Sequence, residues 1–503
     1  MKKPSEVLHS PAEKFTGELS TTFREYILLP RCTRRETDIR EVTLETRISH
    51  DMKLGIPLMS AAMESVSGDT LAIALAQHGG LAVIPAGNVS REVQLEHVKS
   101  VKRFKSGFVD KVITVGADSS ISDLIELERR HGYSTFPVVD AAGKLEGLIT
   151  EKKYHPSKDL DCKVRERMIG MDKLVVGRHG LTLSEANDLI FESGIGVLPV
   201  IDDEGLLRSV VFFRDIKHAH KFPGALVDEQ KRLRVAAAVS THPEDRSRAR
   251  DLVEAGADVL VIDASDGYSV YMKETVEDLK KLGVPVVAGN VVDREGFRFL
   301  VEAGADAVKL GIGSGSICTT RRVKAIGRGQ ATAVYSLAQA RDEYFRETGR
   351  YVPIVSDGGI ESTGDMAVAL AMGADVIMMG KFFAAFEESP TASFQKRLPV
   401  LFSGQVTEVA VTVKPYWGEA SPRAKNVRRY QQDDPRTFVI EGEEGYVLYK
   451  GSLHKNLPRD MKALQGTISS CGSASLREFY ETVQVERQSV ESQREGGTNI
   501  FRM

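Results

Sequence analysis

Three nearly identical tetrapeptides constrain the fold of this chain more than any other feature. Residues 255–258, 303–306 and 372–375 read AGAD, AGAD and MGAD, and each follows a helical pattern and precedes an apolar run: VLVIDAS, AVKLGIG or VIMMGKF. Glycine commonly ends a helix, and an uninterrupted apolar run of this length is typical of a strand buried on both faces. Each tetrapeptide therefore predicts a junction between a helix and a strand of a parallel sheet.

Five further apolar runs have the same character. They are IPLMSAAM from Ile56, LAVIPAGN from Leu81, RVAAAVS from Arg234, VPVVAGNV from Val284 and VPIVSDGGI from Val352. Helix-length segments separate most of the eight runs, which fits a (β/α)8 barrel in the α/β class. A doubly wound open sheet is the alternative, because periodicity alone does not show closure.

A duplicated segment separates the second run from the third. Residues 121–150 align with residues 183–212 without a gap. The identical pairs are Ser122/Ser184, Leu127/Leu189, Gly132/Gly194, Pro137/Pro199, Val138/Val200, Asp140/Asp202, Gly143/Gly205 and Leu145/Leu207. Each copy predicts a helix, a strand, a turn and a second strand. We expect a barrel built from residues 1–108 and 221–503, with an inserted α+β module over residues 109–220.

Composition argues against several classes of protein. The chain has 67 Lys and Arg against 70 Asp and Glu, with no basic cluster, which argues against a dedicated nucleic-acid-binding protein. The sequence has no uninterrupted run of about eighteen apolar residues, so we expect no membrane span. The amino terminus lacks the apolar segment of a signal peptide. Four scattered cysteines are too few for a disulfide framework and fit a reducing, cytoplasmic compartment.

Glycine-rich loops follow the last three predicted strands. GIGSGSICTTR follows strand 6, SDGGI follows strand 7 and MGKFF follows strand 8. The carboxyl ends of barrel strands carry the active site, and the late loops commonly hold phosphate. Glycine there lets backbone amides approach a ligand closely. The loops predict a phosphorylated substrate, although tight turns that simply need glycine are the alternative for any one of them.

Cys318 is the candidate nucleophile. It lies in the first of these loops among small and hydroxyl residues, close to Arg321 and Arg322. Positive charge near a thiol favours the nucleophilic thiolate. The alternative is a buried and inert cysteine, which is the interpretation for Cys32, Cys162 and Cys471.

Residues 386–451 form a long segment with weak periodicity and many charges. It contains Tyr416, Trp417, Arg429 and Tyr430, which are costly side chains to leave in a solvated linker. Compact domains seldom contain long loops without a function. We therefore expect an active-site flap rather than a disordered linker.

These motifs together resemble the inosine 5'-monophosphate (IMP) dehydrogenase and GMP reductase family. The resemblance rests on GSGSICTTR, GRGQATAV, SDGGI, AGNVV and IPLMSAAMESVSGDTLAIALAQHGG and extends over nearly the whole chain. The duplicated insertion resembles the tandem CBS module found in the same barrel loop. The resemblance implies oxidation of IMP to xanthosine monophosphate (XMP) with NAD, in guanine nucleotide biosynthesis, through a thioimidate on Cys318.

The resemblance also implies roles for individual residues. Catalytic residues would be Cys318, Thr320, Arg429 and Tyr430; substrate-binding residues would be Ser316, Asp357, Gly359, Gly380, Lys381, Tyr416 and Glu441; cofactor-binding residues would be Asp263, Ser265 and Asn290. A potassium ion would bind Gly313, Gly315 and Cys318 together with Glu495, Gly496 and Gly497 of a neighbouring subunit. The shared site implies a homotetramer, and a disordered terminal tail is the alternative for residues 495–497.

The chain departs from the family pattern in three places. Ala264 follows Asp263 where serine or threonine is usual, and Arg328-Gly329-Gln330 replaces a more common valine-proline-glutamine. The adenosine-binding signature of the CBS module has a threonine and, three residues later, an aspartate. The first copy keeps Thr150 but has Lys153 in place of the aspartate, and the second keeps Asp215 but has Phe212 in place of the threonine. Binding of an adenine or guanine nucleotide to the module therefore stays open.

Two other functions are weighed against IMP oxidation. A GMP reductase would share the barrel, the cysteine and the thioimidate but would use NADPH and release ammonia. It has no need of the water-activating pair Arg429 and Tyr430, so the pair favours the dehydrogenase. A non-catalytic nucleotide sensor is disfavoured because a pure binding protein has no use for the Cys318 nucleophile.

Overall fold

The computed structural model describes residues 16–87, 89–104, 108–109, 112–131, 134–194, 196–212, 221–402, 405–423 and 440–497. The chain divides into two compact units. One comprises Met1–Lys102 and Arg234–Met503, and the other comprises Arg103–Leu233.

Eight parallel strands form the core of the first unit. They are β1 (Leu58–Ser60), β2 (Val83–Ile84), β3 (Ala236–Val239), β4 (Val259–Ile262), β5 (Val286–Val291), β6 (Ala307–Leu310), β7 (Ile354–Asp357) and β8 (Val376–Met379). Hydrogen bonds join them in the order β1-β8-β7-β6-β5-β4-β3-β2. The two ends of this order also meet, because Ser60 N donates to Leu81 O and Leu81 N donates to Leu58 O, both at 3.1 Å. The predicted (β/α)8 barrel is confirmed, and the open-sheet alternative is wrong.

Eight helices surround the strands. They are α1 (Asp69–Gln77), α2 (Arg91–Arg103), α3 (Glu244–Glu254), α4 (Val270–Leu279), α5 (Arg294–Glu302), α6 (Gln330–Thr348), α7 (Thr363–Ala371) and α8 (Leu453–Ser470). All residues of β3, β4 and β6 are buried, because the helices cover one face of each strand and the barrel interior covers the other. Among the described residues, no helix is long and apolar enough to cross a membrane.

The three tetrapeptides form the predicted junctions, and their aspartates bind the neighbouring strands. The carboxylates accept backbone hydrogen bonds at 2.9 Å (Asp258 from Val235), 2.8 Å (Asp306 from Val286) and 2.9 Å (Asp375 from Ile354). Their cationic partners are Lys102, Lys280 and Arg341. The glycine two residues before each aspartate has φ +104°, a left-handed conformation that a side chain would strain. The repeated motif therefore sets both the turn and the strand contact.

The second unit contains two copies of a helix followed by a hairpin. The first copy is Ile121–His131, Thr135–Val139 and Leu145–Thr150, and the second is Leu183–Ser193, Val197–Ile201 and Leu207–Phe212. The hairpins have an irregularity at the same aligned position. Leu145 N donates to Gly205 O and Leu207 N donates to Gly143 O, both at 3.1 Å. Leu145 aligns with Leu207 and Gly143 aligns with Gly205, so the second bond is equivalent to the first with the two copies interchanged. The copies therefore pair with approximate two-fold symmetry.

A three-stranded antiparallel sheet follows the barrel strands in sequence. Its strands are β9 (Phe394–Phe402), β10 (Gln405–Trp417) and β11 (Glu444–Leu448). The description of residues 386–451 as a long segment with weak periodicity is wrong for β9 to β11, which are regular strands. Pairing between β9 and β10 begins where Phe394 faces Val413 and ends where Phe402 faces Gln405. Each strand satisfies the backbone groups of the other. The alternating valines at 409, 411 and 413 are a signal for β10 in the sequence.

The remaining elements are short. The strands are Tyr26–Leu29, Thr46–Arg47, Lys53–Leu54, Phe108–Val109, Ile169–Gly170, Gly177–Arg178 and Gln484–Arg487. The α-helices are Val164–Arg167, Thr320–Lys324, Lys381–Ala384, Leu476–Thr482 and Val490–Glu495, and the 3-10 helices are Phe23–Glu25, Arg35–Thr37, Glu151–Lys153 and Lys280–Leu282. Tyr26–Leu29 pairs with Gln484–Arg487, so both ends of the described chain lie together on the barrel unit.

Candidate active site

The carboxyl ends of β4 to β8 bring most of the predicted site residues to one end of the barrel. Asp263 directly follows β4, Asn290 lies near the end of β5, and the Cys318 loop follows β6. Asp357 is the last residue of β7, and Gly380 follows β8. Parallel strands closed into a barrel place these residues around one opening.

Lys309 connects three of the predicted residues. It lies in β6 with 2% of its side chain exposed. Its ammonium donates to Asp263 Oδ1 at 3.1 Å, to Asp357 Oδ2 at 3.2 Å and to Asn290 Oδ1. Burial acts to lower the pKa of Lys309, but the two carboxylates outweigh it and raise the pKa, so the side chain is charged. Asn290 Nδ2 also donates to Asp357 Oδ2 at 3.1 Å and to Gly311 O at 2.6 Å.

Lys309 was missed by the sequence reasoning, although a signal was present. A lysine within the apolar run AVKLGIG is unusual in a strand buried on both faces. A charge in such a place requires partners, because an unpaired buried ion is costly. Gln330, at the start of α6, was also missed. Its amide donates to Ser356 Oγ at 3.2 Å and Asp357 O at 3.1 Å, which supports the end of β7.

The thiol of Cys318 is exposed and lies next to a hydroxyl and a carboxylate. Its sulfur is 3.1 Å from Thr320 Oγ1, and Thr320 donates to Glu441 Oε2 at 2.9 Å. Because the Thr320 proton is directed at Glu441, the Thr320 oxygen can accept a hydrogen bond from the thiol. The three side chains therefore form a chain through which a proton can leave the sulfur.

Backbone pairing holds Glu441 beside the nucleophile. Thr319 N donates to Glu441 O and Glu443 N donates to Ile317 O, both at 2.9 Å, and Cys318 pairs with Gly442 in an antiparallel bridge. Glu441 is more than one hundred residues from Cys318 in sequence. The fold thus supplies a contact that no local pattern could have predicted.

Tyr416 lies next to the glycines predicted to bind phosphate. It is buried, and it is hydrogen-bonded to the Ser316 side chain and the Lys381 backbone. Burial raises the pKa of Tyr416 to about 12, so its hydroxyl stays protonated. A Cβ on Gly380 would lie 2.8 Å from the Tyr416 hydroxyl, which explains glycine at this position.

The other predicted glycine and lysine differ in what they contribute. Gly359 has φ +74°, and a Cβ there would lie 3.2 Å from Gln330 Cβ. The Lys381 ammonium is 3.1 Å from Glu361 Oε1, and Glu361 also pairs with Arg24. The Lys381 backbone is therefore at the site, while its side-chain charge is engaged by Glu361.

The predicted potassium ligands fall in two separate places in this chain. Gly313 and Gly315 belong to the Cys318 loop, where Cys318 N donates to Gly315 O at 3.1 Å. Glu495 is the last residue of helix Val490–Glu495, and Gly496 and Gly497 continue its turns, because Gly496 N donates to Ser492 O at 3.2 Å and Gly497 N donates to Arg494 O at 3.0 Å. Backbone carbonyls are donors that suit potassium. In the described part of the chain, His, Cys, Asp and Glu form no cluster of three or more suited to a metal.

The remaining predicted residues have these positions. Ser265 is exposed beside Asp263, and Ala264 O accepts a hydrogen bond from Asn290 N at 3.0 Å. Arg429 and Tyr430 lie outside the described residues. Of the other cysteines, Cys471 is buried and Cys162 is partly buried, as expected, but Cys32 is exposed. The expectation of burial was wrong for Cys32, which lies in an irregular stretch among Arg31, Thr33 and Arg34.

Together the fold and site define a (β/α)8-barrel protein with an exposed cysteine, a threonine and a glutamate hydrogen-bonded in sequence beside it, and glycine-rich loops after its last strands. The model of the IMP dehydrogenase / GMP reductase domain matches residues 20–499. The chain therefore belongs to the IMP dehydrogenase / GMP reductase family.

Individual relatives agree with this assignment. The chain is 41% identical over 501 residues to inosine-5'-monophosphate dehydrogenase of Tritrichomonas foetus, with 97% of each chain covered. It is 37% identical over 474 residues to the Aquifex aeolicus enzyme of the same name, covering 93% of this chain and 92% of that one. A crystal structure of a cysteine-to-alanine variant of Trypanosoma brucei GMP reductase with guanosine 5'-monophosphate is similar at a TM-score of 0.85 and 29% identity, covering 97% of this chain and 100% of that chain.

Proposed function

We propose that this protein oxidises IMP to XMP with NAD as the hydride acceptor. The observation that carries the proposal is the exposed Cys318 thiol in contact with Thr320, which donates to Glu441. The relatives at 41% and 37% identity, both IMP dehydrogenases, support this choice of reaction within the family.

We propose that the residues at the barrel opening bind a purine nucleoside monophosphate. Ser316, Gly359, Gly380 and Tyr416 surround the phosphate in this proposal, with Lys381 assisting through its backbone. Backbone amides and hydroxyls bind phosphate through directed hydrogen bonds. Asp357 accepts from the ribose hydroxyls, and Lys309 and Asn290 hold its carboxylate for this role.

The first chemical step forms a bond between Cys318 Sγ and C2 of the purine. The C2–H bond breaks with its electron pair, so C2 is oxidised and the nicotinamide is reduced. The thiol proton passes to Thr320 as the Thr320 proton passes to Glu441. Asp263, Ser265 and Asn290 are proposed to hold the cofactor. Asp263 is 29% exposed and Ser265 is exposed beside it, which leaves polar atoms available at the opening.

The second chemical step hydrolyses the thioimidate. Water adds to C2, the C2–Sγ bond breaks, and XMP leaves while Cys318 regains its thiolate. A group on the protein must accept the proton of the water. We assign this role to Arg429 with Tyr430, and Thr320 assists proton movement through its bond to Glu441. The ordinary pKa of arginine exceeds about 12, so Arg429 must act in a perturbed environment or through a relay.

A potassium ion and a tetramer complete the proposal. The carbonyls of Gly313, Gly315 and Cys318 would hold the ion together with residues 495–497 of a neighbouring subunit, which would fix the Cys318 loop. Replacing potassium with sodium should lower turnover, because sodium is smaller and fits such a carbonyl cage poorly. Sedimentation of the protein in potassium and in sodium tests the tetramer.

The second unit is proposed to be a tandem CBS module that binds an adenine or guanine nucleotide. Its two pseudo-symmetric helix–hairpin copies support this assignment. Thr150 and Phe212 end the second strands of the two copies, whereas Asp215 lies outside the described residues. Calorimetric titration with ATP and with GTP tests the proposal, and absence of heat with both would refute it.

The reaction is tested with purified protein, IMP and NAD. We expect NADH absorbance to rise and XMP to appear. The rate of NADH formation should depend on Cys318 but not on another exposed thiol. Cys318→Ser should abolish NADH formation, and Cys32→Ser should retain it, because both cysteines are exposed but Cys32 lies in an unrelated surface stretch. Binding of nucleotides by the purified protein without any turnover would instead favour a nucleotide sensor.

GMP reductase is the second candidate, and the structural similarity to the Trypanosoma brucei enzyme favours it. The same protein preparation should therefore be given GMP and NADPH. Oxidation of NADPH with release of ammonia, and no NADH from IMP and NAD, would replace the proposed function with the reductase. The opposite result would exclude the reductase.

A further inference from the structure

Two of the basic side chains on the short helix Thr320–Lys324, which follows Cys318, form ion pairs with glutamates. Lys324 pairs with Glu441, and Arg322 pairs with Glu443 at 3.1 Å. The second pair is largely exposed, with 77% and 62% of the two side chains in solvent, so it contributes little. The Lys324 pair is more enclosed because the Glu441 side chain is only 13% exposed.

The carboxylate of Glu441 contacts Lys324 and Thr320 at the same time, through its two oxygens. Glu441 Oε2 accepts from Thr320, and Glu441 Oε1 pairs with Lys324. Thr320 and Lys324 are four residues apart in a helix, so their side chains project from the same face. One carboxylate therefore contacts both ends of this helix face, and rotation of Glu441 away from Thr320 would break the contact with Lys324.

The consequence concerns the proton path from Cys318. Thr320 can accept from the thiol, or from a water in the thiol's place, only while its own proton is directed at Glu441. An unrestrained glutamate samples several rotamers, and each one that leaves Thr320 interrupts the path. A cation on the second oxygen restricts those rotamers without contacting the substrate.

We propose that Lys324 is a positioning residue for Glu441 and that it thereby controls the hydrolysis step. This inference rests on the proposed function. The first step requires one proton to leave the sulfur, and because Cys318 is exposed, that proton has a second route, directly to solvent water, besides the path through Thr320 to Glu441. Hydrolysis requires a proton from a neutral water, so an interrupted path slows the second step more than the first.

The test is rapid mixing of the full-length Lys324→Met protein with IMP and NAD. NADH released in the first turnover reports hydride transfer, and the later linear phase reports hydrolysis. We expect the burst rate to change by less than about twofold and the linear rate to fall about tenfold. This is less than the roughly 10²–10⁴-fold contribution of an acid–base group itself, because Lys324 acts only by positioning Glu441. Mass spectrometry should find more of the purine adduct on Cys318. KM for IMP should not rise, because Lys324 pairs with Glu441 and not with the residues proposed to hold the phosphate.

Two further variants separate positioning from general damage. Lys324→Arg keeps a cation within reach of Glu441 and should recover most of the linear rate. Lys53→Met removes a lysine of similar type from the surface pair with Glu45, at 2.8 Å, and should behave as the unmodified protein. Met is close to Lys in length and apolar stem, so both methionine variants lose mainly the charge.

The outcomes are separable from those of the proposed function. No NADH from the unmodified protein would refute the proposed function. NADH from the unmodified protein, with the same linear rate in Lys324→Met, would overturn only the role of Lys324. Equal slowing of the burst and the linear phase would also overturn it, because a positioning role in hydrolysis predicts that the two phases diverge.

Discussion

Replacing Lys309 with methionine should damage both stability and substrate binding. Methionine keeps most of the apolar stem but removes the ammonium that contacts Asp263 and Asp357 at 3.1 and 3.2 Å. The two carboxylates would then face one another without the cation between them. Because the Lys309 pKa is raised, this contribution is complete at neutral pH and is lost only as pH rises through a pKa above the ordinary 10.5.

The magnitude follows from burial. Removing one partner of a buried ion pair costs about 3–5 kcal/mol. Lys309 is 2% exposed, but Asp263 and Asp357 are 29% and 24% exposed, so water can screen the carboxylates that remain. We therefore expect the free energy of unfolding to fall by about 3 kcal/mol, at the low end of that range. This is a large part of the roughly 5–15 kcal/mol typical of a domain.

Urea unfolding followed by tryptophan fluorescence measures this change. The chain has one tryptophan, Trp417, which is buried in the barrel unit and reports the unfolding of that unit. Adding Asp263→Asn to Lys309→Met removes one orphan carboxylate, so the double variant should recover at least about 1 kcal/mol. In the assay for IMP oxidation, kcat/KM should fall roughly tenfold or more, because a charge-assisted hydrogen bond to Asp357 is worth about 1.5–3 kcal/mol.

A loss of less than about 1 kcal/mol, a value ordinary for a surface change, would refute the reasoning. So would a double variant that is less stable than Lys309→Met, because the carboxylates would then not be the source of the damage. Unchanged kcat/KM with the expected loss of stability would show that Asp357 keeps its orientation through Asn290 alone.

Two more predictions concern the phosphate pocket and a helix pair. Gly380→Ala would place a Cβ 2.8 Å from the Tyr416 hydroxyl, so KM for IMP should rise about tenfold while Gly445→Ala, which meets nothing within 4 Å, leaves it unchanged. His97 lies 3.4 Å from Asp69; hydrogen bonding lowers the Asp69 pKa to about 2 and raises the His97 pKa above 6.5. The stabilisation from this pair is therefore fullest between about pH 4 and 6.5 and fades as pH rises through the His97 pKa. In urea unfolding, His97→Gln should lower the free energy of unfolding by up to about 1 kcal/mol at about pH 5.5 and by less at about pH 8.5. An equal loss at both pH values would contradict the pairing.

Much of the barrel and part of the site could be predicted from the sequence because their signals are local. A buried parallel strand needs an apolar run, and the helix before it commonly ends at glycine, so the junctions at residues 255–258, 303–306 and 372–375 could be predicted from the sequence. Strand ends in a barrel converge at one opening, so Asp263 and Asp357 could be placed near each other once the strands were assigned.

Other parts of the site were not visible because they depend on contacts between distant segments. Nothing local to the EGEEG stretch shows that Glu441 lies beside Cys318; its role came only from the resemblance, and its contacts come from backbone pairing with residues 317–319. The importance of Lys309 and Lys324 depends on which acidic side chains the fold brings within reach. The hairpin of β9 and β10 was missed although a local signal was present. Val409, Val411 and Val413 alternate with smaller or polar residues in β10.

The sequence by itself determined the order of strands and helices, the duplication and the loop that holds the nucleophile, because each follows from short-range backbone preferences and from the burial of apolar runs. Only the tertiary structure decided which charges meet around that loop. Electrostatic and hydrogen-bond partners act over a few ångströms in space, and closure of the barrel brings together residues separated by tens to more than a hundred positions.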